Sequence, residues 1–198
     1  MIIIGLTGGI ASGKTTISNF LKKKRYAVHS SDDVVKKIYS KPATSFINHI
    51  KKISLSEAIR GRTINKSIIR QEIFNDQSKK RKLEKFIHNE VRKSREQFIK
   101  KHKKKNTKIA ILDIPLLFEA RLTHICDYVI LLYLPRKFKI QRALARKGMQ
   151  KKILKKIIKS QLSDKIKKKK ADFAVDTSMN KNRCFNEVLK TIKSIKNK

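Results

Sequence analysis

Acidic residues are scarce in this chain: 15 Asp and Glu stand against 51 Lys and Arg, a formal charge of +36. Few carboxylates are therefore on hand for acid–base or metal chemistry. Cysteine is nearly absent. Cys126 and Cys184 form no C-x-x-C pair, which excludes zinc ribbons and disulfide scaffolds and reads as two buried thiols in a reducing cytosol. No apolar run approaches the roughly 18 residues that cross a bilayer, so no membrane span is expected. The opening Met1-Ile2-Ile3-Ile4-Gly5-Leu6 lacks a basic n-region and breaks at glycine, so it does not read as a signal peptide. There is no internal repeat and no Gly/Ser/Pro-rich linker. The 198 residues fit one cytoplasmic domain with room for an inserted subdomain, as a monomer or small homo-oligomer.

The lysine excess suggests a nucleic-acid binder at first. Its distribution argues otherwise. Runs such as Lys22-Lys23-Lys24, Lys103-Lys104-Lys105 and Lys167 to Lys170 occur in nearly every predicted helix and loop rather than in one stripe. Aromatics are 7% and do not interleave with the bases, so no specific nucleic-acid partner is expected. Lys, Ile and Asn share A/T-rich codons, and base bias suffices to explain the charge. A general affinity for polyanions that weakens with salt follows either way.

Periodicity predicts an α/β fold with a parallel sheet. Ile2 to Leu6 has the pattern of a buried strand, and a helix should begin near Lys14 with Ile17, Phe20 and Leu21 inward. Tyr26 to His29 reads as a second strand, followed by capping candidates at Ser30 to Asp33. The stretch from about 42 to 105 is helical and charged, with no strand signal. Strand character returns at Ile109 to Leu112 and at Tyr128 to Leu134. Ala171 to Val175 is a weak last strand, and a closing amphipathic helix covers Cys184 to Ile195.

Between the first strand and its helix lies Gly8-Gly9-Ile10-Ala11-Ser12-Gly13-Lys14-Thr15, a match to G-x-x-x-x-G-K-[ST]. At average composition a chance match in a chain this long has a probability of about 0.7%. Such a loop points backbone N–H groups inward as a nest for phosphate, at the positive end of a helix. Lys14 would reach the β- and γ-phosphates of ATP, and the Thr15 hydroxyl would ligate Mg²⁺. No N-K-x-D guanine signature and no L-S-G-G-Q signature is present, which leaves a small-molecule kinase as the natural class.

A kinase needs a base for the acceptor hydroxyl and cations for the moving phosphoryl group. Asp32 follows strand two at the crevice end of a parallel sheet, so it is a base or Mg²⁺-side candidate; a helix-capping role is the alternative. Asp113 ends a strand where a second metal-side carboxylate or a structural one would sit. Arg142 and Arg146 are four apart and would share a helical face suited to phosphate, or to solvent. His88 is a ligand candidate or a satisfied helix residue.

Taken in order, these residues resemble the bacterial dephospho-CoA kinases. The opening Gly5 to Thr16 is similar to that family's start. Val28-His29-Ser30-Ser31-Asp32 is similar to its V-x-D-A-D segment, and Arg70 to Phe74 to its R-x-x-[IV]-F segment. Leu83 to His88, Asp113-Ile114-Pro115-Leu116-Leu117-Phe118-Glu119, Arg142 to Arg146, Gln161 and Ala171 to Asp176 continue the match. The chain departs from the pattern at Ser30, Asn89, Lys147 and Thr177.

The resemblance implies a P-loop NTPase fold with a five-stranded parallel sheet flanked by helices, a helical substrate subdomain and a lid. The core would be about 1–30, 106–135 and 171–198, the CoA-binding insert about 31–105, and the lid about 136–170. It implies ATP-dependent phosphorylation of the ribose 3′-hydroxyl of dephospho-CoA, the last step of coenzyme A synthesis. Asp32 would be the catalytic base, with Lys14, Arg142 and Arg146 holding charge. Gly8, Gly9, Ile10, Ala11, Ser12, Gly13, Lys14, Thr15 and Thr16 would hold ATP. Arg70, His88, Pro115, Leu116, Leu117 and Glu119 would place the acceptor. Thr15, with Asp32 or Asp113, would hold Mg²⁺. A different small-molecule kinase and a nucleic-acid-stimulated ATPase are the competing readings.

Overall fold

The computed structural model describes residues 1–61 and 63–197. The chain forms two compact units, residues 1–30 with 101–198, and residues 31–100. The first opens with β1 (Ile2–Gly8), α1 (Lys14–Lys23) and β2 (Ala27–Ser30). The second contains α2 (Ser31–Ser40), α3 (Thr44–Lys52), β3 (Ile59–Arg60), β4 (Thr63–Ile64) and α4 (Lys66–Asn75). It also holds most of α5 (Gln77–Lys104). The first unit resumes with β5 (Ile109–Asp113), β6 (Tyr128–Tyr133), α6 (Arg136–Leu144) and α7 (Lys151–Lys159). It closes with α8 (Asp164–Lys170), β7 (Phe173–Asp176) and α9 (Lys181–Lys196).

In the first unit, five parallel strands lie in the order β2-β5-β1-β6-β7, as expected of the fold. β5 is buried along its whole length, which is why its apolar run shows no alternation. Ile17 and Leu21, one turn apart on α1, join Val188, Ile192 and Ile195 of α9 over Ile4, Leu6, Ile111, Ile130 and Leu132. Each such side chain contributes about 1.5–3 kcal/mol by leaving water. The strand register sets the functional end: Leu6 and Ser30 both stand level with Asp113, Gly8 with Leu132, and Tyr133 with Asp176. The turns after these residues therefore gather at the C-terminal edge of the sheet, where open α/β sheets bind ligands.

The second unit has its own apolar cluster, with Phe46, Ile50, Leu55, Ile69 and Leu83 buried and Tyr39, Ile73 and Phe86 packed against them. Two of its helices, α4 and α5, begin at side-chain caps. Asn65 Oδ1 accepts from the N–H groups of Ser67 and Ile68 at the start of α4. Asp76 Oδ1 accepts from Ser78 and Lys79 at the start of α5, and the Lys79 and Ser78 N–H bonds hold its carboxyl below the ordinary range. The β3–β4 pair is antiparallel and carries no sequence signal, because two-residue strands are too short to show a period. α9 starts three residues earlier than the apolar spacing suggests, since Asn180 caps it through the Arg183 N–H. Among the described residues, no helix is long and apolar enough to cross a membrane.

Candidate active site

The glycine-rich loop leaves β1 at Gly8 and enters α1 at Lys14. Its shape needs its glycines at two places. A Cβ on Gly8 would lie 2.4 Å from Ser12 Oγ and 2.5 Å from the Leu132 carbonyl oxygen, and the carbonyl belongs to a ladder that cannot yield. Gly13 has φ +77° at the helix N-cap, a conformation that costs side-chain-bearing residues energy. Ala11 also takes a positive φ, 61°. Gly8→Ala is therefore expected to weaken nucleotide binding more than tenfold in a direct titration. Wild-type affinity would show that the loop tolerates the added atom.

Lys14 is buried, and its ammonium lies 2.6 Å from Asp113 Oδ1, itself buried at the end of β5. Neighbouring contacts hold this pair: Ile114 N–H donates to the Leu6 carbonyl, and Thr7 Oγ1 donates to the Pro115 carbonyl. Thr15 and Thr16 are exposed in the first turn of α1. Hydroxyl and carboxylate oxygens are the donors a Mg²⁺ ion takes, and Mg²⁺ sites commonly use one or two carboxylates plus substrate phosphates. Thr15 and Asp113 fit that demand. Among the described residues, no group of three His, Cys, Asp or Glu side chains forms a metal cage.

Beside the helix end of the loop is a cleft of about 210 Å³, lined in part by Gly13, Thr16, Arg142, Thr177 and Phe185. Arg142 donates to the Thr177 carbonyl at 2.9 Å, and Thr177 Oγ1 donates to the Tyr133 carbonyl at 2.9 Å. Phe185 is backed by Phe20, with ring centroids 3.9 Å apart and rings parallel. Cys184 also lines the cleft, and burial pushes its thiol pKa up, away from reactivity at neutral pH. Arg146 does not share Arg142's helical face as the spacing suggests. α6 ends at Leu144, so Arg146 lies in the exposed turn beyond it.

At the other end of the loop, Gln161 Oε1 accepts from the Ile10 N–H at 3.2 Å. Ile10 and Ala11 pack with Ala143, Leu144, Leu154 and Ile158, so α6 and α7 seat on the loop itself. Lys139 of α6 pairs with Asp164 of α8 at 2.5 Å. Glu119 pairs with Lys167 at 2.8 Å and accepts from the Leu162 N–H at 3.0 Å. Burial pushes the Glu119 carboxyl up, but Lys167 and the N–H donors outweigh it and leave it below the ordinary range.

Of the expected substrate contacts, Leu117 is fully buried, Leu116 is exposed and Pro115 is half-buried. Arg70 and His88 are exposed on α4 and α5 of the second unit, and Asp32 is exposed in the first turn of α2. Lys139, Asp164 and Lys167 carry no sequence signal, because they are lost among the other charges of a lysine-rich stretch.

Known proteins share this sequence pattern and this fold. The sequence pattern of the dephospho-CoA kinase family matches residues 2–182. The dephospho-CoA kinase of Bartonella henselae is 34% identical over 196 residues, 98% of each chain. That of Fusobacterium nucleatum is 33% identical over 195 residues, 95% of each chain. The solved dephospho-CoA kinase of Campylobacter jejuni superposes with a TM-score of 0.73 at 25% identity, covering 98% of this chain and 97% of that one. A Thermus thermophilus structure has the same fold, with a TM-score of 0.79 at 24% identity over 98% and 96% of the chains. With likeness this even from the first strand to the closing helix, the chain belongs to the dephospho-CoA kinase family.

Proposed function

We propose that this kinase moves the terminal phosphoryl group of ATP to the ribose 3′-hydroxyl of dephospho-CoA, giving CoA and ADP. The observation that carries the reading is the phosphate loop: a nest built on Gly8 and Gly13 at a helix N-terminus, with Lys14 held at its floor by Asp113. Adenine takes the cleft beside Gly13 and Thr16, between the Arg142 guanidinium and the Thr177 turn. The triphosphate then runs along the loop N–H groups, with Lys14 on its outer oxygens.

Asp32 takes the proton of the 3′-hydroxyl as the oxygen attacks phosphorus. Arg70 and His88 on the second unit, with Pro115 and Leu116, orient the acceptor, and residues 31–105 serve as its subdomain. Arg146 and Arg142 belong to a lid of about 136–170 that excludes water, so that ATP is not simply hydrolysed. Thr15 with Asp113 or Asp32 would hold Mg²⁺, which when bound neutralises phosphate charge.

The test is ADP release with Mg-ATP and dephospho-CoA, AMP or no acceptor, at two salt concentrations because a +36 chain attracts any anion. Turnover confined to dephospho-CoA, with CoA as product, is expected. Turnover without acceptor, or only with added RNA, would reject the reading.

A further inference from the structure

Lys139 is one helical turn before Arg142 on α6, so the two side chains neighbour each other on that helix. They reach opposite ends of the phosphate loop. Arg142 lines the cleft at Gly13 and Thr16. The Lys139 ammonium stands over Gly9, 3.7 Å from where a Cβ would project, with Gln161 Oε1 at 3.3 Å and Asp164 Oδ1 at 3.7 Å from the same point. Its side chain is 13% exposed and is paired with Asp164. Resting on the proposal that adenine takes the Gly13 end, a triphosphate laid along the loop has its last phosphate at the Gly9–Ile10 end.

We infer that Lys139 contacts the terminal phosphate of ATP, and that Asp164 is a positioning residue that holds its ammonium over the loop. Two features separate this from a plain tether between α6 and α8. A tether needs no ammonium over the phosphate loop, yet the pair sits on Gly9, where the absence of a side chain leaves room for it. The same corner also holds Gln161 on the Ile10 N–H, so the polar groups of the region converge on this stretch of loop backbone. A terminal phosphate concentrates negative charge there, and a lysine so placed gains a second anionic partner without leaving the first.

The experiment compares ADP with a non-hydrolysable β,γ-imido analogue of ATP, both with Mg²⁺ at fixed salt, by calorimetric titration. Lys139→Met is expected to weaken the analogue at least about tenfold, the loss of one hydrogen bond to a charged group, while ADP stays within about twofold. Lys139→Arg should keep most of the discrimination. Equal losses for both nucleotides, or no loss for either, would overturn the proposal and leave a tether. Should Lys139→Met unfold, Asp164→Asn decides. It keeps the lysine but removes its anchor, so a weakening confined to the analogue supports the contact, whereas equal weakening of both nucleotides, or of neither, overturns it. Wild-type protein that bound neither nucleotide would reject the phosphate-loop reading itself, a different failure.

Discussion

Asp32→Asn is expected to lower the turnover of dephospho-CoA by about 10²–10⁴-fold while leaving the protein folded and able to bind ATP. The size of the effect separates two roles. As a carboxylate in the first turn of α2, Asp32 stabilises the helix dipole by about 0.3–1 kcal/mol, a contribution the neutral amide loses. A capping role would therefore lower the melting temperature slightly and leave turnover nearly intact. A general base has the opposite signature, because asparagine cannot take the hydroxyl proton. Asp33 is the internal control. It shares the same turn and lies 3.7 Å from Lys36 in an exposed pair that contributes little. Asp33→Asn should change turnover less than threefold. Steady-state kinetics of both variants beside an ATP titration would decide, and an Asp32→Asn enzyme with near-normal turnover would remove the assigned base.

Glu119→Gln should destabilise the first unit by about 3 kcal/mol, read as a fall in melting temperature of roughly 10 °C. Lys167 is fully buried, and the Glu119 carboxylate is its partner at 2.8 Å. Removing the carboxylate leaves a charge in a dry site, which costs far more than an exposed pair ever contributes. Replacing both, as Glu119→Leu with Lys167→Met, should recover much of the loss. A single variant as stable as the wild type would show that the ammonium reaches water. The pH dependence follows from the depressed carboxyl. Its stabilisation is complete above the unfolded carboxylate pKa of about 4.3 and is lost as pH falls through the lower folded value. Acid unfolding of the wild type should therefore be steeper than that of the double variant.

This pair also bears on function. Glu119 ends the Pro115–Glu119 block and holds Leu162, next to the Gln161 that meets the loop at Ile10. Loosening it should disturb the loop from outside, raising KM for ATP before it lowers turnover.

Local chemistry carried much of this protein. The Gly8–Thr15 loop was legible because its dihedrals and close contacts demand glycine at fixed spacing, whatever surrounds them. The strands were legible because a parallel sheet buried on both faces requires unbroken apolar runs such as Ile109 to Leu112. Asp113 stood out because a carboxylate ending such a run needs a reason to be there. The lysines were not legible. Lys14 declares itself by its motif, but Lys139 and Lys167 are written like any other base in a chain with 51 of them. Which lysine meets water and which meets a carboxylate depends on what packs above it, and those partners lie 25 residues away for Lys139 and 48 for Lys167. The same holds for Arg142 and Arg146: four residues apart in sequence, they part company because α6 stops between them. Motif and periodicity are properties of neighbours along the chain, so the loop, the strands and the family resemblance could be read from residue order. Burial and ion pairing are properties of neighbours in space, and the tertiary structure alone decided them.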